Sequence, residues 1–102
     1  MMYQLVLQWS ATSGKDYDDT VRLESMLGQR LSPGHCMNGH DFAAGEANIF
    51  ILTDDPMTAW AEARRVLGPR SSAGDLRVAY RSLSQDAYTV LWPEDLKEFT
   101  VL

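Results

Sequence analysis

Residues Tyr3 to Trp9, YQLVLQW, alternate strictly: Tyr3, Leu5, Leu7 and Trp9 fall on one side, Gln4, Val6 and Gln8 on the other. A period of two marks a strand buried on one face. The chain must therefore build a sheet and find something to cover one side of it.

The next segments supply that cover. After the break at ATSGK, Asp16 is expected to cap a helix whose first turn carries Asp18 and Asp19, acids that suit the positive end of its dipole. Tyr17, Thr20, Leu23, Leu27 and Leu31 recur at helical spacing, and Pro33-Gly34 ends the run. Two strands are expected next, His40 to Ala44 and Ala47 to Thr53, joined by Gly45-Glu46 with glycine where a type II′ turn needs positive φ. Asp55-Pro56 gives a cap followed by proline in the first position of a second helix. Its inward face is expected to be Met57, Trp60, Ala61, Ala63 and Leu67, and Gly68-Pro69 stops it. GPRSSAG (68–74) precedes a strand rather than opening a helix, so it reads as a connection and not as a phosphate loop. Leu76 to Leu83 alternates again, with Leu76, Val78 and Tyr80 opposite Arg77, Ala79 and Arg81. Ala87 to Trp92 reads as a further short strand and Pro93 to Leu102 as a last helical turn.

The order β-α-β-β-α-β predicts an α+β, ferredoxin-like domain. Such a domain has a four-stranded antiparallel sheet with two helices on one face and the first and third strands in its centre, here with an extra C-terminal strand or helical turn. The 102 residues have room for one such domain and not two. The fold hosts many unrelated activities, so function must be argued from particular side chains.

Composition removes several classes. A net charge of −5 opposes nonspecific attraction to nucleic acid or anionic lipid, which draws on excess Lys and Arg. The longest apolar run, Ile49 to Leu52, falls far below the roughly 20 residues of a membrane span. MMYQLVLQW has no basic leader before an apolar stretch, and one cysteine fits a reducing compartment, so a cytoplasmic acidic protein is expected.

His35 to Asp41, HCMNGHD, gathers both histidines and the one cysteine beside a carboxylate. A metal site needs three or four donors converging about 2 Å from one ion. Asn38-Gly39 is a strong type I′ signal; such a turn would set Met37 against His40 and Cys36 against Asp41, splitting the donors between two sides. A turn leading into a strand is therefore expected, with His40 half-buried opposite Ile51, and no metal or cofactor. Glu24 and Arg64 fall inside the apolar arcs of their helices, and an ion pair across the groove between them is the economical account. Asp54-Asp55 reads as a helix cap rather than as paired catalytic carboxylates.

Alternation assigns Phe42, Ile49 and Ile51 to the helix side and Asn48, Phe50 and Leu52 to the other. The helix-free face then carries Gln4, Gln8, Asn48, Phe50, Arg77 and Arg81, amides and arginines around an apolar centre. These six are the candidate binding residues. The first reading is a non-catalytic binding or regulatory module using this face for homodimerisation or for a small polar or anionic ligand. The second is a small dimeric α+β barrel-type enzyme in which Arg77, Arg81, Gln4 and Gln8 orient a polar or anionic substrate. The third is an acidic inhibitor of a basic protein, steered by Asp16 to Asp19 and Glu94 to Glu98. Against all of these stands closure of the face by the chain's own tail, through Tyr88, Leu91, Trp92, Leu96 and Phe99.

Overall fold

The computed structural model describes residues 1–71 and 74–102, with the side chains of all of these except Arg70 and Ser71. In chain order the elements are β1 (Tyr3–Ser10), α1 (Gly14–Arg30), β2 (His35–Ala43), β3 (Glu46–Thr53), α2 (Pro56–Leu67), a 3-10 turn (Gly68–Ser71), β4 (Arg77–Ser82) and β5 (Thr89–Trp92). Ser72 and Ala73 of the connection expected before β4 lie outside the described residues. The protein is α+β, with two helices and one antiparallel sheet of five strands in the order β2-β3-β1-β4-β5. The arrangement is compatible with the expected one, enlarged by β5 beyond β4. Among the described residues no helix is long and apolar enough to cross a membrane.

Leu5 and Leu7 of β1, Ile49 and Ile51 of β3 and Val78 of β4 are fully buried beneath Leu23 and Leu27 of α1 and Ala59, Trp60, Ala63 and Leu67 of α2. Removing each such aliphatic side chain from water contributes on the order of 1.5–3 kcal/mol. The alanines let α2 lie close to the sheet. That choice centres its buried arc on Ala59 and Ala63 rather than on Met57 and Ala61, which are exposed.

Local chemistry moves several boundaries. α1 is capped by Ser13, not Asp16: the Asp16 backbone N–H donates to Ser13 Oγ at 3.2 Å, and Asp16 Oδ2 accepts from the Thr12 N–H at 3.0 Å. This reciprocal pair satisfies donors on both sides of the helix start. α2 begins as expected, with Asp55 accepting from the Thr58 N–H at 3.1 Å and Pro56 in its first turn.

Asn38-Gly39 does not reverse the chain. Met37 pairs with Ile51 and His40 with Ile49, so three steps along β2 match two along β3. The extra residue is a β-bulge, in which Gly39 adopts φ +89. The reversal comes at Ala44-Gly45, both at positive φ as a type I′ turn requires, rather than at Gly45-Glu46. His40 consequently opposes Ile49 instead of Ile51, a register change of two residues that leaves every side chain on its expected face.

The tail is not helical. A single turn, with the Leu96 N–H donating to the Pro93 carbonyl at 3.1 Å, sends residues 97–102 on without regular structure.

Candidate functional site

The register sets the six candidate residues on one face of the sheet, opposite the helices. Gln4 pairs with Leu52 and Arg81, Val6 with Phe50 and Ala79, and Gln8 with Asn48 and Arg77. They fall in three rows, and the two outer ones behave differently.

In the Gln8 row every neighbour is a cross-strand partner. Asn48 Nδ2 donates to Asp41 Oδ1 at 2.9 Å, Gln8 Nε2 donates to Asn48 Oδ1 at 2.9 Å, and Arg77 Nε donates to Gln8 Oε1 at 2.8 Å. Arg77 Nη2 also donates to Glu46. A continuous polar ladder thus crosses β2, β3, β1 and β4. Gln8 is 2% and Asn48 1% exposed, because the tail lies over them: Gln8 Nε2 donates a second bond, at 2.9 Å, to the Thr100 carbonyl. Val6 and Ala79, one row along, are fully buried on the same face, while the Tyr88 and Phe99 rings meet at a tilt of 58° with centroids 5.0 Å apart. The tail therefore covers this end of the face, whereas Leu91 and Trp92, expected to share in that closure, pack instead against the core on the helix side. Gln8, Asn48 and Arg77 are joined to one another and, through Gln8, to the C-terminal tail.

The Gln4 row, with Phe50 from the row between, is more open. Gln4, Phe50, Leu52 and Arg81 are each partly exposed, and Cys36, opposite Leu52, is exposed. Arg81 Nε donates to Gln4 Oε1 at 3.2 Å and Nη1 to the Gln85 carbonyl at 3.1 Å; Nη2 has no acceptor among the described residues.

The HCMNGHD stretch is divided by the sheet. His35, Met37, His40 and Phe42 share the helix side, while Cys36 and Asp41 occupy the other. Because of the bulge, His40 lies at the margin of the helix side, where its Nδ1 meets Glu24 Oε1 at 2.8 Å. Glu24 is thereby engaged by β2 and not by Arg64, whose guanidinium lies over the rings of Trp60 and Trp92. The expected Glu24 to Arg64 pair is absent for a geometric reason: the bulged strand presents an imidazole directly beneath α1.

One arrangement escaped the sequence reading. His35, with only 6% of its side chain exposed, bridges Thr53 Oγ1 at 2.8 Å through Nδ1 and Glu62 Oε2 at 3.3 Å through Nε2. The Asp55 N–H donates to Thr53 Oγ1 at 2.9 Å and the Ser32 N–H to Glu62 Oε1 at 2.8 Å. Glu62 fixes a proton on Nε2, so Nδ1 accepts the Thr53 hydroxyl proton. The Ser32 N–H, joined by His35, holds the Glu62 carboxyl below the usual carboxylate range. Hydroxyl, imidazole and carboxylate in line suggest nucleophilic chemistry. Yet Thr53 is fully buried, so its oxygen meets no substrate, and the set ties the cap and the middle of α2 to β3 and β2. His35 and Thr53 are direct cross-strand partners, a pairing the sequence would have disclosed had β2 been extended back to His35.

A cleft of about 230 Å³ gathers Trp9, Asp16, Asp19 and Asp75. Its acids are engaged: Asp16 by Thr12, Asp75 by the Ser10 hydroxyl and N–H, and Asp19 by Arg22 at 3.6 Å. Burial pushes the Asp75 carboxyl up, but its bonds to Ser10 outweigh this and leave it below the ordinary range. No family model matches the chain, and comparison with curated proteins and with solved structures gives no match either.

Proposed function

We propose that this chain is a ferredoxin-like, non-catalytic binding module that pairs with a second copy of itself through the open part of its helix-free sheet face. The fold reading rests on the strand order β2-β3-β1-β4, in which β1 and β3 are interior and both helices lie on one side. The observation that carries the binding reading is the position of Phe50 and Leu52. They stand partly exposed on the face that no helix covers, Leu52 between Gln4 and exposed Cys36, and Phe50 beside Val6 in the next row. An apolar centre with a polar rim is the anatomy of a recognition patch. The free Nη2 of Arg81 favours a second use of the same patch, holding a small anionic ligand.

Solution mass measured by light scattering over a dilution series tests the reading. A mass that rises toward twice the protomer's with concentration, and stays at the protomer's value for Phe50→Asp and Leu52→Asp, supports it. A strict monomer at millimolar concentration contradicts the dimer. Citrate or phosphate that shifts the resonances of Arg81 and Gln4 in such a monomer assigns the patch to an anion instead.

A further inference from the structure

A groove on the helix side lies between α2 and β5, away from the Phe50 patch. It measures about 520 Å³ and is lined by Met57, Trp60, Arg64, Arg65, Leu91 and Trp92, with Glu94 at one end. Its floor is apolar: Leu91 and Trp92 are packed against the core, and Met57 continues the surface outward at 58% exposure. The Arg64 guanidinium carbon stands 4.6 Å from the Trp92 ring centroid and 5.7 Å from that of Trp60. Stacking of this kind uses the flat faces of a guanidinium and leaves its N–H fork at the edges, in the geometry that grips a carboxylate. No acceptor among the described residues takes those donors, and Arg65 is likewise without one. Arg64, held against two indoles and left unpaired, loses less side-chain freedom on binding than a cation with no such contact.

Sign and shape together select the occupant. The protein carries −5 overall, yet this groove presents two arginines against one acid, so it attracts what the rest of the surface repels. β5 is the terminal strand of the sheet on that side, and a terminal strand offers its outer main-chain groups to an added extended segment. A simple phosphate would use the arginines and ignore the apolar floor. We infer that the groove docks an extended acidic peptide segment of a partner protein, with an apolar side chain over Met57 and Leu91 and a carboxylate on Arg64 and Arg65.

The test is an NMR titration of the full isotope-labelled chain with an acetylated, amidated hexapeptide alternating glutamate and leucine, with its lysine–leucine counterpart, and with inorganic phosphate. The acidic peptide is expected to shift the indole N–H signals of Trp60 and Trp92 saturably and to leave Trp9 unmoved. The lysine peptide is expected not to bind. Arg64→Gln is expected to weaken binding about tenfold or more, the loss of one charge-assisted contact. Met57→Glu, at an exposed position whose change leaves the core alone, should weaken it as well. The inference is overturned if no saturable shift occurs at millimolar peptide, if the lysine peptide binds equally, if phosphate alone binds as tightly, or if both variants bind as the parent does.

Discussion

The two faces of the sheet are closed by different physics. On one, leucine, isoleucine and valine from β1, β3 and β4 disappear beneath two helices, and any apolar shape of about the right size serves there. On the other, a ladder of Asp41, Asn48, Gln8 and Arg77 is roofed by an irregular tail, and each group depends on the geometry of its neighbour. The first closure is strong and tolerant. The second is directional and reaches as far as Val6 and Ala79 in the next row, leaving Phe50 and Leu52 partly open.

Substitutions that strike one face at a time separate these descriptions. Leu7→Ala should cost about 2–5 kcal/mol in denaturant unfolding, since it leaves a cavity at the centre of the core. Gln8→Leu on the opposite face should cost less, about 1–3 kcal/mol, through stranded partners rather than lost area. It should also speed amide exchange in residues 94–102, an effect Leu7→Ala lacks at matched stability. If Gln8→Leu leaves both stability and tail protection unchanged, the ladder has no closing role.

Acid should loosen the polar joins before the aliphatic core. Asp55, through the Thr58 hydroxyl and N–H, and Glu62, through the Ser32 N–H, have carboxyls held below their usual range. A depressed folded value means that the stabilisation is complete above the unfolded value and fades as pH falls through the folded one. The melting temperature should therefore hold from neutrality to about pH 5 and decline below about pH 4. Asp55→Asn and Glu62→Gln should flatten that decline. A melting temperature that rises on acidification would contradict the assignment. The smallest change leaves both faces alone: Ala44→Gly relieves a non-glycine residue at φ +53 and should stabilise by about 1 kcal/mol or less in the same unfolding assay.

Much of this was legible from alternation and capping. YQLVLQW and the Asp55-Pro56 pair define β1 and the start of α2 without ambiguity, and the faces of Phe42, Ile49 and Phe50 follow from parity alone. Parity survives a two-residue slip, which is why the hairpin turn could move to Ala44-Gly45 without exchanging a single face. What local pattern could not supply was context. Asn38-Gly39 has the composition of a turn, but the length of β3 keeps both halves of β2 paired and converts it into a bulge. That bulge sends His40 to Glu24 and leaves Arg64 to the indoles of Trp60, one turn back in its own helix, and Trp92 of β5. The Gln8 to Thr100 bond spans 92 positions, and no periodicity announces it.

The division of the helix-free face is tested most directly by NMR on the full chain at low and high concentration. The account predicts nuclear Overhauser contacts between the Gln8 side-chain amide and Thr100 that persist at both concentrations, while resonances of Gln4, Phe50, Leu52 and Arg81 move as concentration rises. Loss of the Gln8 to Thr100 contacts, or concentration-dependent shifts that avoid Phe50 and Leu52, would contradict it.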